Sequence, residues 1–202
     1  GEFRKEWIQY YDTMDHSTLN KYIFVDPANS KNKNSDYTAI FVIGVGSDKN
    51  VYILDIIRDR LDVKGREDLL FSLHSKYRPL GVAYEKYGMQ VDADWIRYAQ
   101  ERRNYRFPIT DVGGSMDKNS RIRRLQAMFV NQRIYFPKTM FKTNHENRVT
   151  DLVDDFITKE YVPFPVGVHD DMIDCLSRMM DITLQYPGNG TFDYYKFASG
   201  FS

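Results

Sequence analysis

Three short apolar runs separated by brief polar connections constrain this chain most. They are Lys21 to Asp26, Thr38 to Val45 and Val51 to Ile57. Each is rich in β-branched and aromatic residues. The first stops at Asp26-Pro27, and Gly46-Ser47-Asp48-Lys49-Asn50 supplies turn chemistry between the second and third. Three sequential strands joined so closely form an antiparallel meander, because a parallel pair needs a crossover of a dozen residues or more. The stretch from Ala28 to Asp36 is polar and reads as a surface loop.

The pattern then changes to alternating helix and strand. Leu69, Leu70, Leu73 and Tyr77 recur at helical spacing, Leu80 to Tyr84 is a fourth strand ending at Glu85, residues 90 to 103 read as a helix, and Phe107 to Val112 is a fifth strand. Residues 119 to 130 form a further helix. Ile134-Tyr135-Phe136-Pro137 reads as a short strand or hairpin arm outside the main sheet. Thr143 and Glu146 have capping-box spacing and predict a helix to about Thr158, and His169-Asp170-Asp171 opens a last helix to about Gln185. Three antiparallel strands followed by two added in parallel, with helices on both faces, is the order of the ribonuclease H-like fold. The expectation is therefore a mixed five-stranded sheet ordered three-two-one-four-five.

That order gives the acidic residues a meaning. Strands one and four become parallel neighbours, so Asp26 and Glu85 leave the same sheet edge side by side. Asp170 and Asp171 open the last helix, and Asp174 follows one turn on. Each has an ordinary structural role when taken alone: Asp-Pro opens turns, and acids at a helix start cap it and complement its dipole. Together they form a crowd of carboxylates that repel one another unless a cation lies between them. Magnesium or manganese meets that need with oxygen ligands, and two such ions can clamp an in-line phosphoryl displacement.

Charge and composition narrow the field further. Lys plus Arg and Asp plus Glu both number 28, so the chain is no histone-like binder of polyanions. An acidic cluster for metal ions and basic residues elsewhere for a phosphate backbone would cancel in that sum. The basic candidates are Lys86, Lys118, Arg121, Arg123, Arg124, Arg133 and Lys138. Lys118 to Arg124 ranks first, at a helix start after Gly113-Gly114. No apolar run is long enough to cross a membrane. The single cysteine, Cys175, excludes an internal disulfide and reads as a buried small hydrophobe.

Several motifs together carry a family resemblance. Val25-Asp26-Pro27-Ala28 with Ser35-Asp36-Tyr37-Thr38-Ala39, Tyr84-Glu85, Lys118-Asn119-Ser120-Arg121-Ile122, Ile134-Tyr135-Phe136-Pro137 and His169-Asp170-Asp171-Met172-Ile173-Asp174 resemble the C-terminal nuclease domain of tailed-bacteriophage large terminase subunits. The resemblance runs from about residue 21 to 185. It implies a metal-dependent endonuclease that cuts concatemeric viral DNA during genome packaging in the host cell cytoplasm. Asp26, Glu85 and one or both of Asp170 and Asp171 would be catalytic metal ligands for Mg²⁺ or Mn²⁺, with Asp36, His169 and Asp174 as secondary candidates. Double-stranded DNA would be the substrate. A packaging ATPase domain, portal and small terminase subunit would be partners of the full protein.

This chain contains no Gly-x-x-x-x-Gly-Lys-Ser/Thr phosphate loop, so no ATPase activity is expected of it. Gly1-Glu2-Phe3 has the look of a cloning remnant, and residues 1–20 read as a lead-in or linker from that ATPase domain. Residues 21–186 are the expected nuclease domain and 187–202 a tail. Two other readings stand beside this one: a resolvase-like or transposase-like nuclease of the same superfold, and a non-catalytic DNA-binding or assembly module on the same scaffold.

Overall fold

The computed structural model describes residues 1–27 and 37–188; the expected surface loop with Asp36, and residues 189–202 of the tail, lie outside the described residues. In chain order the main sheet is built from β1 (Gln9–Tyr11), β2 (Asn20–Asp26), β3 (Thr38–Val45), β4 (Val51–Asp59), β5 (Gly81–Glu85), β6 (Thr110–Val112) and β7 (Ile134–Pro137). Their spatial order is β1-β7-β4-β3-β2-β5-β6. β2, β3 and β4 form the antiparallel meander, and β5 and β6 add in parallel on the other side of β2. The expected ribonuclease H-like order of five strands is thus present inside a seven-stranded sheet.

The two additional strands correct the sequence reading. β7 lies inside the main sheet, parallel to β4, because Ile134 and Phe136 alternate inward and are fully buried. β1 pairs in parallel with β7, so the segment expected as a lead-in supplies an edge strand. Phe3, two per cent exposed, packs edge-on to Phe129 and Phe164 at centroid distances of 5.8 and 5.3 Å. The amino-terminal residues are therefore part of this core, whatever their origin.

The pleat separates the core into two layers. Phe24, Phe41, Ile43, Ile53, Ala83 and Phe136 face one side, and Ile23, Val25, Ile40, Val42, Val82 and Tyr84 face the other. α1 (Val63–Tyr77) and α2 (Lys86–Arg102) cover the second face. The first is covered by α3 (Lys118–Arg123), α4 (Gln126–Val130), α5 (Leu152–Asp155) with its π-helical extension Phe156–Tyr161, and α6 (Asp171–Ser177). Cys175 is fully buried there, as its apolar neighbours suggested.

Three helical expectations differ from the structure. The region from Thr143 is a hairpin, β8 (Phe141–Thr143) against β9 (Val149–Asp151). The Asn144 side chain accepts from the backbone N–H groups of Glu146 (2.9 Å) and Arg148 (3.0 Å), closing a turn that the capping-box spacing cannot form. The helix begins only at Leu152, capped by Asp151. The helix expected over 119–130 breaks into two at Arg124 and Leu125. The last helix is likewise short, giving way to a 3₁₀ turn, Arg178–Asp181.

Two measurements check this architecture. Phe3→Ala should lower the unfolding free energy by about 3 kcal/mol in denaturant titrations, whereas a linker residue would cost nothing. The second concerns Glu67, buried between α1 and α2. Burial opposes its charged form, but Lys64 Nζ at 2.9 Å and the guanidinium groups of Arg102 and Arg103 outweigh that and hold its carboxyl at about 2. A depressed carboxylate stabilises the fold above its ordinary value near 4.5 and loses that contribution as pH falls toward 2. Wild type should therefore lose about 2 kcal/mol more than Glu67→Gln between pH 5 and pH 2.

Candidate active site

The carboxyl ends of β2 and β5 open into a cleft of about 1160 Å³ whose lining includes Asp26, Glu85, Asp92, Asp170, Asp171 and Asp174. The sheet sets this up. β2 and β5 are parallel with Val25 opposite Tyr84, so Asp26 and Glu85 follow as the next residues on adjacent strands. Alternation puts Asp26 on the face of Phe24 and Glu85 on the face of Ala83, the face that α6 covers. α6 then brings its own acids to the same place.

Asp26 is half-buried at the base of this cleft. Burial first, and then the negative charges of Asp174 and Glu85, push its carboxyl well above the usual range, against the pull of Arg178 and Arg121. Glu85 ends its strand and also caps α2, accepting from the backbone N–H groups of Tyr87 (3.1 Å) and Gly88 (2.9 Å). Gly88 is needed here for a steric reason. A Cβ on it would lie 1.8 Å from Pro27 Cγ, so the ring after Asp26 rests directly on the first turn of α2.

The helix-borne acids have separate partners. Asp170 lies 3.3 Å from Lys118 Nζ. Asp171 pairs with Arg58, whose Nε and Nη2 stand 3.1 and 3.0 Å from Oδ2. Burial, and the neighbouring Asp170, nevertheless raise its carboxyl, with Arg58 opposing them. Asp174 is buried, and its Oδ1 takes both Nε (3.0 Å) and Nη2 (2.7 Å) of Arg121. His169 lines the cleft mouth and is exposed.

Of the basic candidates, the cleft lining includes Lys118 and Arg121. The others are engaged elsewhere: Arg123 with Glu2 at 2.7 Å, Arg124 with Asp181 at 2.8 Å, Arg133 with the Lys49 carbonyl at 3.2 Å and Lys138 with Asp12 at 3.0 Å. Lys86 starts α2 with its Nζ 5.5 Å from the Tyr87 ring centroid. Sequence reasoning missed Arg58, Arg178 and Glu160. β4 runs in the same direction as β2, so its end at Arg58 reaches the same sheet edge, and that could have been read from the strand order. Arg178 stands four residues after Asp174, one helical turn on, which is also a readable signal. Glu160 carried no signal. It is buried and accepts from the N–H groups of Met172 (2.7 Å) and Ile173 (3.0 Å), anchoring the start of α6, while burial pushes its carboxyl up to about 8.

The profile of the family described as "Terminase RNaseH-like domain" matches residues 23–181. The chain belongs to this family. Solved terminase nucleases share its fold. The human cytomegalovirus terminase nuclease domain superposes with a TM-score of 0.55 at 15% identity, covering 83% of this chain and 87% of that one. The same viral domain soaked with Mn gives 0.55 at 12% identity, over 91% and 100% of the two chains. The large terminase nuclease of thermophilic phage G20c with bound magnesium gives 0.50 at 14% identity, over 85% and 91%. No curated protein sequence matches the chain.

Among the described residues, no three acidic, histidine or cysteine side chains already converge closely enough to hold an ion. The chemistry of the donors does fit a hard cation: the acids in the cleft offer carboxylate oxygens, and burial, with the charges of Asp174 and Glu85, raises the Asp26 carboxyl. Those able to ligate are Asp26, Glu85, Asp170, Asp171 and Asp174.

The contact between Pro27 and Gly88 yields a test of how the cleft is held. Gly88→Ala should destabilise the fold by about 1–3 kcal/mol through overpacking. It should also perturb the Asp26 and Glu85 carboxyl resonances in ¹³C spectra more than those of Asp94 or Glu101, which lie farther along α2.

Proposed function

We propose that this chain is a metal-dependent endonuclease that hydrolyses DNA phosphodiesters during viral genome packaging. The observation that carries the reading is the convergence of Asp26, Glu85 and the α6 acids on one cleft in a terminase RNaseH-like domain. Metal-bound relatives, the magnesium form of the phage nuclease and the Mn-soaked viral domain, support a divalent cofactor here.

Asp26 and Glu85, with Asp170 or Asp171, are the ligands in this reading, and Asp174 stands beside them. Bound there, two Mg²⁺ or Mn²⁺ ions would supply an activated water and neutralise charge on the leaving 3′ oxygen. The protein's own groups do the rest. Arg178 and Arg121 favour ionised Asp26, opposing the burial and the neighbouring carboxylates that raise its carboxyl. Glu160 and Arg58 fix the position of α6, and through it that of Asp170 and Asp171. Lys118, half exposed at the cleft, is placed to meet a phosphate of the substrate strand. The substrate is double-stranded DNA in the host cytoplasm, and a packaging ATPase domain, portal and small terminase subunit are partners of the complete protein.

Incubation with supercoiled plasmid tests this reading. Mn²⁺ should give nicked and linear products, EDTA should abolish them, and Asp26→Asn should lower the rate at least about a hundredfold with the fold intact by circular dichroism. Equal cleavage by Asp26→Asn, or none by wild type, would favour the non-catalytic module instead. Lys118→Ala should weaken DNA binding and reduce the slope of log K against log salt by about 1.

A further inference from the structure

One acid of the cleft lining stands apart from the proposed ligands. Asp92, within α2, is 1% exposed. Three donors meet its carboxylate. Arg66 of α1 grips it with two parallel bonds, Nη2 to Oδ1 and Nε to Oδ2, both at 2.8 Å. The Tyr84 hydroxyl, on the last turn of chain before Glu85, donates to the same Oδ2. Burial, and then Asp92 itself, hold that hydroxyl well above its ordinary value, so it stays a donor at neutral pH. Enclosed in this way, Asp92 offers no open side to an ion. A buried polar network costs stability unless every member is satisfied, and this one is satisfied by side chains from three separate elements.

What the network joins gives it a role. Tyr84 precedes Glu85 on β5 and faces the opposite side of the sheet, while Asp92 lies on the helix that Glu85 caps. The bond between Tyr84 and Asp92 therefore closes the chain from 84 to 92 into a loop that contains Glu85. Arg66 extends the tie. Its Nη1 donates to the Leu61 carbonyl at 2.8 Å, which links the chain leaving β4 to α2. The Glu85 carboxylate in turn takes its hydrogen bonds from the first turn of α2, the N–H groups of Tyr87 (3.1 Å) and Gly88 (2.9 Å). Where that turn lies, the carboxylate follows.

We propose that Arg66, Asp92 and Tyr84 are positioning residues that set where α2 begins and thereby aim the Glu85 carboxylate into the cleft. They touch neither ion nor substrate and act through the Tyr87 and Gly88 amides. Their hold on Glu85 is independent of the reaction, whereas their bearing on a metal rests on the nuclease reading above. Side chains that orient a ligand in this way commonly change metal affinity by about ten- to a hundredfold when they are removed.

Hydrogen exchange of the chain without metal or DNA tests the hold. In Tyr84→Phe and in Asp92→Asn, the Tyr87 and Gly88 amides, bonded to Glu85, should exchange at least about tenfold faster relative to the Met172 and Ile173 amides, bonded to Glu160. A brace that only adds stability would speed all four alike. Tyr84→Phe removes one hydroxyl and keeps the Arg66 pair, so it carries the test if Asp92→Asn, which strips Arg66 of its partner, does not fold. Titration of Mn²⁺ without DNA is the second measurement. The folded variants should bind at least about tenfold more weakly, while Phe3→Ala, which loses stability elsewhere in the core, should bind as wild type does. Unchanged exchange at Tyr87 and Gly88, or equal acceleration of all four amides, would overturn the proposal. Mn²⁺ affinity equal to wild type would overturn its bearing on the metal. An absence of Mn²⁺ binding by wild type would count against the nuclease reading and leave exchange to decide whether the network holds Glu85.

Discussion

The parallel pairing of β2 with β5 is the constraint on which the site depends. With Val25 opposite Tyr84, the next residue on each strand is an acid, and the pleat turns both toward α6. A slip of one residue would send either carboxylate to the opposite face, into the layer of Ile23 and Tyr84. Register is fixed by the apolar residues that precede the acids, so the core that stabilises the sheet also aims the acids. Pro27 resting on Gly88 then fixes how the chain leaves β2 relative to α2.

This convergence opposes stability. Burial first, and then repulsion by Asp174 and Glu85, works against the ionised form of Asp26 and raises its carboxyl. The surrounding cations are distributed to limit the cost. Arg121 satisfies Asp174 with two hydrogen bonds, Arg58 takes Asp171, and Lys118 reaches Asp170. Among the described residues Asp26 and Glu85 form no ion pair while these neighbours are paired, and that leaves them as the donors with most to gain from an added divalent ion. The balance of 28 acidic and 28 basic residues thus has a local counterpart. Acids and bases are interleaved through the site and not divided into an acidic cleft and a basic surface, as the composition first suggested.

Much of this was legible in the sequence, for identifiable reasons. The meander, the parallel strands and the positions of Asp26, Glu85 and Asp170 follow from apolar runs with clear stops, which report burial directly. β1 and β7 were not legible as sheet members. They have three and four residues, and membership depends on what packs beneath Phe136 and Ile134, a tertiary fact. The capping-box spacing at Thr143 misled because Asn144 offered its own side chain to the backbone two and four residues on. The segment Lys118 to Arg124, which ranks first among the basic candidates in the sequence, divides in the structure: Lys118 and Arg121 line the cleft, whereas Arg123 and Arg124 turn to Glu2 and Asp181. Sequence proximity could not separate them, since consecutive helical residues point in different directions.

The central claim is that the sheet register and α6 together create a binding site for divalent cations. Calorimetric titration of Mn²⁺ into the chain in the absence of DNA measures it most directly. The account predicts saturable binding that is lost in Asp26→Asn and in Glu85→Gln, and retained in Asp94→Asn, whose carboxylate lies out on α2. Saturable binding that survives both cleft substitutions unchanged would contradict it.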